Sequence, residues 1–83
     1  MGAHEESMSG LPSRSRVAEA LTRGHFVATK EFPEYAYSAS GSLVMRCPAC
    51  RAMSLADPID VFVNRHCGTC VSCGHELEPV TVR

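Results

Sequence analysis

Hydrophobic positions along this chain change their period several times, and each change marks a candidate element. Residues 1–12 show no period, are largely polar and close on Gly10-Leu11-Pro12, which reads as a flexible N-terminal tail. Val17, Ala18, Ala20 and Leu21 then recur at helical spacing. Ser13 or Ser15 can cap that helix, because a serine hydroxyl accepts from the first free backbone N–H groups. Arg23 supplies a cation in the last turn, and Gly24 tolerates a left-handed exit. A helix of only about ten residues does not persist alone in water, so Val17 and Leu21 are expected to dock on something.

From His25 onward the period falls to two. Phe26, Ala28 and Phe32 share one side and Val27, Thr29 and Glu31 the other, which predicts a half-buried strand ended by Pro33. His25 itself reads as an exposed loop residue. Tyr35 and Tyr37 alternate again, Ser40-Gly41-Ser42 predicts a turn, and Leu43-Val44-Met45-Arg46 predicts the second strand of a hairpin leading into Cys47. Ala52, Met53 and Leu55 predict a short return strand, broken at Asp57-Pro58, and Ile59 to Val63 form the next apolar run. The segment 76–82 contains Pro79, which confines it to a sheet edge.

Length sharpens this picture, because 83 residues make one small domain. A chain of that size buries only about 60–65% of the surface exposed when unfolded. Without the tail about 70 residues remain, the range in which an extra staple is commonly required. A structural zinc contributes roughly 10–16 kcal/mol of apparent binding free energy in zinc-finger peptides. Disulfides could act instead in an oxidising compartment, but five cysteines would leave one thiol over. The first residues, Met1-Gly2-Ala3-His4-Glu5-Glu6, lack the basic and apolar regions of a signal peptide. No stretch reaches the roughly 18 apolar residues of a membrane span. A cytoplasmic, reducing setting with a bound metal and no membrane partner is therefore expected.

The net charge of −1 offers no broad attraction to nucleic acid. Residues 1–12, 13–30 and 31–83 carry −2, +3 and −2, so the one basic stretch is short and reads as a solvated helix face.

The cysteines are the most specific signal. They stand as Cys47-Pro-Ala-Cys50, sixteen residues, then Cys67-Gly-Thr-Cys70-Val-Ser-Cys73-Gly74. Two C-x-x-C hooks at such a separation suit four sulfurs converging on one tetrahedral ion. In each hook the turn points backbone N–H groups at sulfur, which damps the thiolate charge, and a glycine after the second cysteine relieves crowding. Cys73 has that glycine and Cys50, followed by Arg51, does not.

Cys70-Val-Ser-Cys73-Gly74-His75-Glu76-Leu77 resembles the second knuckle of zinc-ribbon proteins, and Cys47-Pro48-Ala49-Cys50 resembles the first. The resemblance spans residues 43–78 at most. It implies two β-hairpins that each donate a cysteine pair to one zinc, in a fold used mostly as scaffold or recognition module. The expected ligands are Cys47, Cys50, Cys70 and Cys73 around one structural Zn²⁺. Cys67 departs from the pattern and creates a competing set, Cys47, Cys50, Cys67 and Cys70. Mixed sets with His66 or His75 are a further alternative, although both histidines read better as hydrogen-bond donors to sulfur or as solvent-facing groups. An iron–sulfur cluster is another, since Cys67, Cys70 and Cys73 resemble the start of a ferredoxin run that here lacks its last cysteine. A redox dithiol needs a helix after its first cysteine, and Asp57-Pro58 leaves no room for one. If Cys67 is not a ligand, it is expected as a small buried side chain.

The expected fold is a small metal-stabilised α+β domain over residues 13–83, a zinc ribbon of short antiparallel hairpins preceded by one short helix. Tyr35, Tyr37 and Phe62 could stack on bases, but aromatics alternating on a strand are more often core. No Ser-His-Asp order, Gly-rich phosphate loop or paired carboxylates in an apolar run emerges, and Asp57 and Asp60 look like loop residues. The leading expectation is a non-enzymatic module whose residues 13–46 face another protein, with Val27, Tyr37 and Ile59 as exposed apolar candidates. A transcription-associated, nucleic-acid-binding ribbon using Arg14, Arg16, Arg23, Arg46, Arg51 and Arg65 on phosphates is the second class. An accessory subunit of an enzyme is the third.

Overall fold

Ser13 starts the first helix, its hydroxyl accepting from the Arg16 N–H at 3.2 Å. This helix, α1, spans Arg14–Thr22 and is left through Gly24 at φ +85°. The computed structural model describes residues 11–24 and 26–82. Most of the expected tail, residues 1–10, lies outside them, as does His25. Leu11 and Pro12, at the end of that tail, are buried, and Leu11 belongs to the core. α1 buries Val17 and Ala20, while Leu21 is exposed, so the docking stripe is 17/20 instead of the expected 17/21.

The strand expected over 26–32 does not form. One helical turn, α2 (Ala28–Glu31), takes its place. Lys30 occupies the position where the inner face of such a strand would need an apolar side chain. Ala28 and Phe32, four apart, instead reach the core together as helical neighbours. The N–H groups of Lys30 and Glu31 donate to the Val27 carbonyl at 2.9 Å, and Phe32 donates to Ala28 at 2.8 Å. The Tyr37 hydroxyl donates to the carbonyls of Phe32 (2.6 Å) and Ala28 (3.0 Å), pinning the end of this turn.

Three antiparallel strands follow: β1 (Leu43–Arg46), β2 (Met53–Ala56) and β3 (Glu78–Pro79), in the order β2-β1-β3. Leu43 pairs with Ala56 and Arg46 with Met53 on one side of β1. Met45 pairs with Pro79 and Arg46 with Glu78 on the other. β1 alternates fully buried Leu43 and Met45 with half-buried Val44 and Arg46, the expected period of two. The expected hairpin before β1 is reduced to the bridge between Tyr37 and Leu43, closed by a turn with Gly41 at φ +91°. Pro79 sits in an edge strand, where its missing N–H leaves no gap in the ladder.

The apolar run after Asp57 is a third helix, α3 (Pro58–Phe62). Asp57 caps it, its carboxylate accepting from the Ile59 N–H at 2.9 Å, and Pro58 fits the first turn. The fold is thus a small α+β domain with three short helices among the described residues, not one. Its core centres on Phe32, Phe62, Leu43, Met45 and Val61, each no more than 1% exposed. Phe32 meets Phe62 edge-on at 5.0 Å and Tyr35 meets Phe62 at 5.2 Å, so Tyr35 and Phe62 are core residues and form no exposed platform. The Arg16 guanidinium lies 4.7 Å from the Phe32 ring centre and bonds Glu34 at 2.6 Å. Arg23 pairs with Glu31, and Arg46 lies 3.8 Å from Glu78. Among the described residues, no helix is long and apolar enough to cross a membrane.

Candidate metal centre

Two hairpins deliver the cysteines. Cys47 follows the last residue of β1, and the Arg46–Met53 pair closes the first loop. A bridge between Thr69 and Glu76 closes the second loop, around Cys70 and Cys73. β3 leaves that second loop and pairs with β1 beside Cys47, through Arg46 and Glu78. This register carries the two loops to the same place.

The loops are built alike. In the first, the Arg51 N–H donates to the Cys47 carbonyl and the Cys47 N–H to the Ala52 carbonyl, both at 2.9 Å. In the second, Gly74 donates to Cys70 and Cys70 to His75, again at 2.9 Å. The residue after each second cysteine takes the left-handed conformation, with Arg51 at φ +66° and Gly74 at φ +77°. The glycine after Cys73 thus has a conformational reason, and Arg51 adopts the same backbone without that freedom.

The sulfurs of Cys47, Cys50, Cys70 and Cys73 all lie within 4.8 Å of one another. Cys47 and Cys73 are 3.8 Å apart, and Cys50 and Cys70 3.6 Å. A disulfide requires about 2.05 Å, so these are separate thiols. A tetrahedral ion with sulfur ligands at about 2.3 Å would have sulfur–sulfur edges of about 3.8 Å. The four cysteines are therefore positioned to bind a metal ion. Among the described residues, no other set of His, Cys, Asp or Glu donors gathers in this way.

Backbone polarity favours thiolates at the first cysteine of each loop. The Cys50 N–H points at the Cys47 sulfur from 3.5 Å. That bond, seconded by the Ala49 N–H and opposed by burial, holds the Cys47 thiol down at about 6. The N–H groups of Cys73 and then Ser72 lower Cys70 in the same way. Cys73 is pushed up to about 12, first by its hydrogen bond to the Cys50 sulfur and then by burial. Four thiols this close do not all ionise on their own, and a divalent cation among them reverses that preference.

Cys67 stands apart from the cluster. It is buried in the core, and burial, followed by the charge of Glu76, raises its thiol. The Gly68 carbonyl accepts the Leu77 N–H and Thr69 bridges Glu76, so Cys67-Gly-Thr-Cys70 runs into the second loop as one side of its hairpin and forms no knuckle of its own. His66 and His75 are exposed and lie outside the sulfur cluster; His66 donates its backbone N–H to Asp60 and His75 accepts from Cys70. Asp57, assigned to a loop from sequence, is a helix cap. The left-handed Arg51 was not foreseen, and nothing in its side chain signals it; the likeness of the two loops does. No protein-family model, curated protein or solved structure matches the chain.

Proposed function

We propose that this protein is a zinc-stabilised, non-enzymatic binding module of zinc-ribbon type, with Cys47, Cys50, Cys70 and Cys73 as ligands of one structural Zn²⁺. The observation that carries the reading is the sulfur spacing of 3.6 and 3.8 Å, which fits the edge of a four-sulfur tetrahedron. Tetrahedral four-sulfur sites suit zinc or iron. A polynuclear iron–sulfur cluster is wider than one ion and would hold its thiolates farther apart than these are. An ion closed by four thiolates keeps no position for water or substrate, which argues for structure over catalysis at the metal.

A protein partner in the cytoplasm fits this surface better than nucleic acid. Arg16, Arg23 and Arg46, three of the six arginines that could contact phosphate, are paired with Glu34, Glu31 and Glu78. Large apolar side chains are exposed instead, with Met53 at 60%, Leu55 at 58% and Val71 fully open. The test is a pair of measurements on the zinc-loaded chain at low salt. Specific capture of a protein partner that is lost on chelation, with no retention on heparin, is the expected result. A nucleic-acid gel shift that weakens steeply with salt would overturn the reading.

A further inference from the structure

The two edges of the sheet are treated differently. Beyond β3, the chain over 80–82 is covered by the segment 34–36, with the Ala36 N–H on Val80 and the Val82 N–H on Glu34, both at 2.8 Å. Beyond β2 nothing among the described residues pairs. β2 also carries none of the usual guards, for Met53-Ser-Leu-Ala56 contains no charge, no proline and no bulge. Its two large side chains, Met53 and Leu55, project from one face and are the most exposed apolar groups of the sheet.

Backbone direction along β2 follows from one bond. The Ala52 carbonyl accepts from the Cys47 N–H, so it faces the β1 side. Strand alternation then turns the N–H and C=O groups of Ser54 and Ala56 towards β1, and those of Met53 and Leu55 outward. Charge flanks the strand asymmetrically, with Arg51 before it and Asp57 after it. Arg51 has no ion-pair partner among the described residues.

We propose that β2 pairs antiparallel with β2 of a second copy of this chain, about a two-fold axis at Ser54. In that register Met53 lies opposite Leu55 of the other copy, and each pair exchanges both of its backbone hydrogen bonds. Arg51 and Asp57, which flank β2 at its two ends, bring opposite charges towards each other at both ends of the paired strands. The strand is thus complementary to itself in hydrogen bonding, apolar contact and charge, as an isologous interface requires. A register shifted by one residue would place outward groups against inward ones and lose the match. The two sheets merge into one of six strands. A contact of one short strand per copy falls below about 1,200 Å² of total buried area, so association is weak and concentration-dependent. The proposal names a surface and partner beyond the module reading above, and it requires the folded hairpin but not a particular ion.

Sedimentation equilibrium of the full zinc-loaded chain tests it, alongside amide hydrogen exchange and metal content on the same samples. The expected result is a mass that climbs from one copy to two with concentration. Protection of the Met53 and Leu55 amides should rise in step, and that of Ser54 and Ala56 should not. Leu55→Lys and Met53→Lys, each on an exposed side chain of β2, should each weaken dimerisation at least about tenfold. Both should leave metal content and circular dichroism unchanged. A chain that stays monomeric at millimolar concentration with its metal in place would overturn the proposal and leave the edge to a different strand. So would a dimer whose Met53 and Leu55 amides exchange as freely as in the monomer. A metal-free chain that keeps its circular dichroism and still dimerises through β2 would count against the zinc reading alone.

Discussion

Arg51 and Gly74 occupy equivalent places in the two cysteine loops, at φ +66° and +77°. An L-residue there costs about 1–2 kcal/mol, and glycine gives back part of that through its greater freedom when unfolded. Arg51→Gly should therefore raise stability by about 0.5–1 kcal/mol at fixed free zinc. Gly74→Ala should lower it by about 0.5–1 kcal/mol, the same balance reversed, since a Cβ at Gly74 meets nothing within 4 Å and only the backbone is strained. Denaturant midpoints of the two variants provide the comparison. The same scale separates Cys67 from the other four cysteines. Cys67→Ala should keep one ion per chain and cost about 1 kcal/mol of packing, while Cys50→Ser should abolish folding, as metal analysis and circular dichroism would report. The grouping of Cys47, Cys50, Cys70 and Cys73 was legible from the glycine after Cys73. The place of Cys67 was not, because its core neighbours come from distant parts of the chain.

Among the elements, α1, β1, β2 and the edge position of Pro79 were legible, each resting on a local signal such as a serine cap or a clean alternation. The segment 26–32 misled because Phe26, Ala28 and Phe32 satisfy both a period of two and, for Ala28 and Phe32, one helical turn. Tertiary contact from Tyr37, which no local pattern contains, fixes the helical choice. Tyr37→Phe should therefore cost about 1–2 kcal/mol in denaturant unfolding, with α2 fraying first in hydrogen exchange. The tyrosines also set an alkaline limit. Burial, then the charge of Glu34, pushes the Tyr35 hydroxyl up from 10.0 to about 12, and burial raises Tyr37 as well. Groups that hold their protons more tightly when folded stabilise the fold fully below 10, and that contribution fades as pH rises towards 12. Phenolate absorbance should accordingly appear together with unfolding across that window. Titration near 10 with the fold intact would contradict this account of the core.

At the level of the whole molecule, a small core and two converging loops lead the zinc proposal to one consequence, that the ion is the staple on which folding depends. Chelation at neutral pH should remove both the metal and the native circular dichroism, and added zinc should restore them. Acidification should act in the same direction, because protons compete with the ion for the sulfurs. The central claim, one zinc closed by four cysteine sulfurs, is tested most directly by zinc X-ray absorption on freshly purified protein. The account predicts stoichiometric zinc with four sulfur neighbours at about 2.3 Å and no lighter ligand. A shell containing nitrogen or oxygen, or protein that carries no zinc, would contradict it.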